Sequence, residues 1–77
     1  MTRYRVFVTL KAGLLDTQGR AVGDALRSLG FDAVKDVRMG KMIEIEAEGA
    51  DKSQVESMCQ KLLANPVIEE YTIEALN

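Results

Sequence analysis

The first residues of the chain alternate between polar and apolar side chains. Alternation with a period of two, in a stretch rich in β-branched and aromatic residues, predicts a half-buried strand. One face of this strand carries the apolar side chains of Tyr4, Val6, Val8 and Leu10. The other face carries Arg3, Arg5, Phe7, Thr9 and Lys11.

After a short connection the apolar spacing changes to that of a helix. Val22, Ala25, Leu26 and Leu29 follow one another at i, i+3, i+4 and i+7 and form one apolar stripe. Asp16 lies where its carboxylate can cap this helix by accepting a backbone N–H from Gln18 or Gly19. Gly30 is expected to end the helix, because glycine tolerates the positive φ of a helix C-terminus.

Two glycines lie inside this predicted helix, in the stretch DTQGRAVG. Each costs about 0.8–1 kcal/mol relative to alanine. Gly19 and Gly23 are one turn apart, away from the apolar stripe, and leave a flat patch that another backbone can approach. The helix N-terminus is also a place for an anion, but the charge of Asp16 would repel a phosphate. The pattern therefore favours a protein contact over a ligand site.

The stretch FDAVKDVRMGKMIEIEAE is predicted to be extended. A two-residue turn at Gly40-Lys41 would pair Val34–Met39 with Met42–Glu48 as a hairpin. Alternatively, Gly40 marks a bulge that bends one long strand. In both cases the core-facing residues of the later strand are Ile43, Ile45 and Ala47.

A second helix and a last strand complete the pattern. Ser53 and Glu56 have the spacing of a capping box, and Pro66 forces Asn65 out of helical geometry and ends the helix. The apolar stripe of this helix consists of Val55, Met58, Cys59, Leu62 and Leu63. The final stretch, VIEEYTIEAL, is predicted to be a strand with Tyr71, Ile73 and Ala75 facing inward.

The predicted order is β-α-β-β-α-β, in two βαβ halves at about residues 3–39 and 41–76. This order predicts an α+β, ferredoxin-like sandwich in a single domain, 1–77, with one antiparallel sheet and both helices on one face. The first strand is then central in the sheet. Its Arg3 and Arg5 lie between two pairs of carboxylates, which belong to Glu44, Glu46, Glu70 and Glu74.

Composition indicates that the domain is completed by assembly. A chain of 77 residues buries only roughly 60% of its unfolded surface. Such small domains usually need further stabilisation from a disulfide, a metal or another chain. The chain has one cysteine and no histidine, which excludes an internal disulfide and argues against structural zinc. The remaining source of stabilisation is assembly with another chain.

Charge and hydropathy exclude further classes. A net charge of −2 without tryptophan does not fit a nucleic-acid binder. The sequence has no run of about 20 apolar residues, and its first residues do not form a signal peptide. We therefore expect a cytoplasmic protein that binds neither nucleic acid nor membrane.

No residue pattern predicts catalysis, cofactor binding or metal binding. Cys59 lies on an apolar stripe without a histidine base. The stretch VRMGKM lacks the second glycine and the Ser/Thr of a phosphate-binding loop. The carboxylates Glu44, Glu46, Glu69, Glu70 and Glu74 lie mostly on a solvated face, whereas general acid–base catalysis needs a buried or closely paired group.

Three blocks resemble the PurS family, the small subunit of phosphoribosylformylglycinamidine (FGAM) synthase. They are VTLKAGLLDTQGRAVGDALRSLGF, VKDVRMGKMIEIE and MCQKLLANPVIEEYTIE, in family order and spacing. Thr17 stands where the family often has proline. The resemblance implies a non-catalytic subunit, a dimer in the complex, of a cytoplasmic ATP- and glutamine-dependent ligase in purine biosynthesis. In the free chain, dimer and tetramer both remain open.

The resemblance also implies partners. A glutaminase subunit releases ammonia, and a large synthetase subunit binds ATP and Mg and aminates formylglycinamide ribonucleotide. The small subunit bridges the two and assists ammonia transfer. We expect contacts at the ends of elements, where a small scaffold presents recognition groups. These are Asp16, Gln18 and Gly19, then Arg38, Gly40 and Lys41, and the corner at Asn65 and Pro66.

Two other classes share this order of elements. An ACT-like regulatory module would bind an amino acid at a dimer interface. An acylphosphatase-type enzyme would need an arginine-bearing phosphate loop after its first strand, and KAGLLDTQG has no arginine.

Overall fold

A three-stranded antiparallel sheet is the centre of the fold. The computed structural model describes residues 1–76. Their elements are β1 (Thr2–Leu10), α1 (Thr17–Ser28), β2 (Gly40–Ala47), α2 (Lys52–Met58), a π-helical turn (Cys59–Leu63) and β3 (Glu69–Ala75). Within these residues the strand order is β2-β1-β3. The α+β class and the central position of the first strand are as predicted.

The register of the sheet follows the alternation in the sequence. Val6 pairs with Ile43 on one side and with Ile73 on the other, and all three face the core. On the opposite face, Arg5 Nη2 lies 3.2 Å from Glu44 Oε2, and Arg5 Nη1 lies 3.6 Å from Glu74 Oε1. The predicted charge pairs are therefore formed by Arg5. Arg3 pairs with Glu46, whose Oε2 lies 3.6 Å from Arg3 Nε. Glu70 instead lies opposite Thr9.

The predicted strand before Gly40 is not formed. Residues 34–39 have no strand structure, so neither the hairpin nor the long bent strand is found. Gly40 is the first residue of β2, opposite Thr9 in an unbroken register. It is neither a turn nor a bulge. A Cβ there would lie 2.5 Å from the Val8 carbonyl oxygen, so β1 approaches too closely for a side chain.

The core lies between one face of the sheet and the second helical segment. Its buried side chains from the sheet are Tyr4, Val6 and Val8, and those from the helical side are Val55, Cys59 and Ala64. Ile43, Ile45, Leu63, Tyr71 and Ile73 pack around them and are half-buried. Ala75, which was predicted to face inward, is exposed.

The cap of α2 differs from the predicted one. Asp51 is the N-cap, and its Oδ1 accepts from Gln54 N at 3.0 Å. Asp51 N donates in return to Gln54 Oε1 at 3.0 Å. These two bonds form a capping box. The prediction of Ser53 and Glu56 was wrong by two residues, and the Ser53 hydroxyl donates to Asp51 instead.

The π-helical turn after α2 changes which residues face the core. Ala64 N donates to Cys59 O at 2.9 Å, an i→i+5 bond. The wider turn rotates the later side chains relative to an α-helical stripe. As a result Leu62, predicted to be in the core, is 83% exposed, while Ala64 is buried.

Helix α1 is not packed on the sheet of its own chain. Its caps are as predicted, with Asp16 before it and Gly30 at φ +101° after it. Its apolar stripe, however, is open, with Leu29 74% exposed. The Cα radius of gyration is 15.6 Å, against about 11.5 Å for a compact domain of this length. Two helices on one sheet face are therefore not found within one chain.

Candidate functional site

One carboxylate joins the start of α1 to the start of β2. Asp16 Oδ1 accepts from Gly19 N at 2.8 Å and so caps the helix. Asp16 Oδ2 accepts from Met39 N at 2.7 Å. The bond from Gly19 is the main cause that lowers the pKa of Asp16, followed by the bond from Met39, and the charge of Arg38 adds to both. Asp16 thus stays ionised while it holds two segments together.

Gly19 is required by a close approach of two backbones. A Cβ at this position would lie 2.2 Å from the Val37 carbonyl oxygen and 2.7 Å from Asp16 Oδ2. Gly23 is less restricted, since its Cβ would meet Val37 Cγ2 at 3.5 Å. Both glycines are buried. The close backbone approach predicted from these glycines is made by residues 34–38 of the same chain.

Two arginines secure the same segment. Arg27 Nη1 donates to Val34 O at 3.0 Å, and Arg27 Nη2 donates to Asp24 Oδ1 at 2.6 Å. Arg38 Nη2 donates to the carbonyl oxygen of Leu10, at the end of β1. The segment between α1 and β2 is therefore fixed at its beginning and at its end without any strand pairing.

Two cavities lie beside this junction. The first, of about 500 Å³, lies between α1 and residues 35–38, and we call it the α1 cleft. The second, of about 180 Å³, lies at the start of β2. The residues lining the α1 cleft include Gly13, Asp16, Gly19, Arg20, Gly23 and Lys35. Those lining the second cavity include Asp16, Gln18, Gly40, Lys41 and Glu69.

The structure brings most of the predicted contact residues to this end of the molecule. Six of them line one or both cavities: Asp16, Gln18, Gly19, Arg38, Gly40 and Lys41. Asn65 and Pro66 line neither cavity. Asn65 N donates to Glu69 Oε1 at 2.7 Å, and Glu69 lines the second cavity. The corner at Asn65 is therefore a neighbour of this end.

Arg20 and Lys35 of the α1 cleft are among the lining residues that the sequence did not predict as contacts. Arg20 directly follows Gly19 on the polar side of the predicted helix, so the sequence could have indicated it as a contact residue. Lys35 was assigned to a strand that is not formed, so its position beside α1 had no signal in the sequence. Both side chains are exposed.

The single cysteine of the chain lies inside the core. Cys59 is fully buried, and this burial raises the pKa of its thiol, with a further contribution from the charge of Glu56. Among residues 1–76, no three His, Cys, Asp or Glu side chains are grouped as metal ligands. In the same residues no helix has the length and apolar character needed to cross a bilayer.

Comparison with known proteins settles the family. The family model "PurS: Phosphoribosylformylglycinamidine (FGAM) synthase" matches residues 3–77, almost the entire chain. The chain belongs to the PurS family. The resemblance of its three sequence blocks to PurS is thereby confirmed.

Individual PurS proteins agree with this assignment. The PurS subunit of phosphoribosylformylglycinamidine synthase from Bacillus subtilis (strain 168) is 47% identical over 77 residues, which cover 96% of this chain and 92% of that protein. The crystal structure of Methanocaldococcus jannaschii PurS is 45% identical with a TM-score of 0.90, and the match covers 100% of this chain and 98% of that one. A chain in the structure of PurLQS from Thermotoga maritima is 32% identical with a TM-score of 0.85, covering 97% and 96% of the two chains.

Proposed function

We propose that this chain is the non-catalytic small subunit of the FGAM synthase complex in the cytoplasm. It bridges the glutaminase and the large synthetase subunit, and ATP and Mg bind to the synthetase. The observation that carries the proposal is the match of nearly the whole chain to PurS, including a chain of the PurLQS structure. The same match does not favour the ACT-like module.

The chemistry of ammonia explains why such a subunit is useful. Ammonia that escapes into water is protonated and loses its reactivity as a nucleophile. A scaffold that holds the glutaminase and synthetase sites in a fixed relation raises the effective concentration of ammonia at the second site. A small subunit can therefore increase the rate without contributing a catalytic residue.

The contact surface with the larger subunits lies, in this proposal, at the junction of α1 and β2. This end presents charged and amide groups on a backbone that Asp16 and Arg27 hold in place. The proposed contact residues are Asp16, Gln18, Gly19, Arg38, Gly40, Lys41, Asn65 and Pro66. Most of Gly19 is covered by its own chain, so its role is to position its neighbours.

Self-assembly is the second part of the proposal. The apolar stripe of α1 is open, and Ile43 and Ile45 on the core face of β2 are only half-buried. A second copy that covers the stripe removes this apolar area from water, at about 25 cal/mol per Å². The ferredoxin-like layout of two helices on one sheet face is then reached between copies. Dimer and tetramer both satisfy this requirement.

Reconstitution tests the function directly. The two larger subunits are assayed for glutamine-dependent amination of formylglycinamide ribonucleotide, with and without this chain. We expect the reaction to depend on the chain, whereas amination supplied with an ammonium salt is changed much less. Equal glutamine-dependent rates with and without the chain would show that the proposed function is wrong.

A further inference from the structure

The charge of the α1 cleft is opposite in sign to that of the chain as a whole. Its lining contains the basic residues Arg20, Arg27, Lys35 and Arg38 and the acidic residues Asp16 and Asp36. The lining is thus +2, while the chain has a net charge of −2 from 10 basic and 12 acidic residues. The remaining six basic and ten acidic residues amount to −4. Positive charge is therefore concentrated in this cleft.

Two of the basic side chains are available to a partner. Arg27 and Arg38 already donate to the carbonyl oxygens of Val34 and Leu10. Arg20 and Lys35, by contrast, have no side-chain hydrogen bond or ion pair among residues 1–76, and both are exposed. Asp36 is likewise unpaired among these residues. The free groups of the lining are therefore two cations and one carboxylate.

The other lining groups indicate the chemical class of the partner. Leu14 and Leu15 border the cleft and are 42% and 65% exposed. None of the described residues that line it has an aromatic ring, so a nucleotide base would have nothing to stack on there. The carboxylates of Asp16 and Asp36 also disfavour a compact phosphate. An extended peptide can place its carboxylates on Arg20 and Lys35 and its apolar side chains on the leucines.

We propose that the α1 cleft docks an acidic segment of one of the two larger subunits. The inference rests on the proposed function and specifies the chemistry of the partner that binds at the junction of α1 and β2. Carboxylates of that segment pair with Arg20 and Lys35, while Leu14 and Leu15 cover its apolar side chains. Charge pairs at such an interface speed association and make it dependent on ionic strength.

A charge-reversal variant tests this inference in the assembled protein. Affinity for each larger subunit is measured by biolayer interferometry at low and at high salt. We expect R20E/K35E to bind the larger subunit that supplies the acidic segment at least about tenfold more weakly than the wild type does at low salt. We also expect its affinity to depend less on salt. K52E/K61E is the matched control, because it makes the same charge change at exposed positions of α2 and the π-helical turn, and it should bind like the wild type.

The outcomes separate the docking site from the function. If R20E/K35E binds like the wild type, the cleft is not the docking site, although the proposed function stands. If R20E/K35E disrupts self-assembly of the chain in sedimentation, the cleft holds a second copy and the inference is wrong. The inference is also wrong if the cleft binds only a small anion. In that case inorganic phosphate would shift the NMR resonances of Arg20 and Lys35 without displacing either larger subunit, and R20E/K35E would keep its affinity for both subunits. If the wild type binds neither subunit, the proposed function fails as well.

Discussion

At the residue scale, Gly19 and Gly23 occupy the same side of one helix but tolerate a side chain very differently. A Cβ at Gly19 would collide with a carbonyl oxygen of the backbone, which cannot move away cheaply. A Cβ at Gly23 would make ordinary contacts with Val37 and with the end of the flexible Arg27 side chain. The two positions therefore separate the intrinsic preference of the helix from the packing of its neighbour.

The first prediction concerns this pair. Gly23→Ala should raise the free energy of unfolding by about 0.5–1 kcal/mol, because alanine favours the helix and fits the space. Gly19→Ala should lower it instead, since the clash with Val37 O outweighs the helix preference. Urea unfolding monitored by circular dichroism, at equal protein concentration, measures both changes. A stabilised Gly19→Ala variant would contradict the close approach of residues 34–38 to α1.

At the element scale, the connection between α1 and β2 depends on polar contacts instead of strand pairing. Asp16 binds the amides of Gly19 and Met39, and Arg27 and Arg38 hold carbonyl oxygens nearby. The carboxylate needs its charge to accept both bonds well. The position of this segment, and with it both cavities, should therefore respond to protonation of a single group.

The second prediction is the pH dependence of this connection. The folded chain lowers the pKa of Asp16 below its usual value of 3.8. The stabilisation from its ionised form is therefore complete above that value and is lost as the pH falls through the lower folded pKa. In NMR titrations the amides of Gly19 and Met39 should shift with a common midpoint below 3.8. Asp16→Asn should abolish both transitions, and a midpoint above 3.8 would contradict the double role of Asp16.

At the scale of the whole molecule, one copy of the chain leaves much apolar area in water. Within residues 1–76 the fully buried large side chains are few, namely Val6, Val8, Val55 and Cys59. Val22 and Leu29 of the α1 stripe, and Phe31 beyond it, remain exposed. An elongated chain with an open helix face has little stability by itself, so association should contribute to its folding free energy.

The third prediction follows from the open stripe. Leu29→Glu should shift the chain towards monomer in sedimentation velocity and lower its melting temperature, because the charge would lie in the proposed contact between copies. Ser28→Glu is the control, since it adds the same charge at an exposed position beside the stripe. If both variants assemble like the wild type, the stripe is not the contact between copies.

The predictable part of the candidate site is its chemistry, and the unpredictable part is its geometry. The cap at Asp16 follows from helix preferences, which are local. Glycine at Gly19 runs against the helix preference and so indicates a close approach, but not that the Val37 backbone makes it. The second bond of Asp16, to Met39, joins residues that are 23 positions apart, and no local rule predicts it. The place of Lys35 depended on the path of its segment, for which alternation suggested a strand.

The sequence by itself determined the class of fold, the strands β1, β2 and β3 with most of their inward-facing residues, both limits of α1 and the membership in the PurS family. Periodicity determines the strands and their faces because it records which side chains share a face. The capping residues determine the limits of α1, and the three sequence blocks determine the family. The tertiary structure alone decided that residues 34–39 lie against α1 without forming a strand, that a π-helical turn exposes Leu62, and that α1 stands away from the sheet. Periodicity cannot predict these features, because it identifies an apolar face without identifying the surface that covers it.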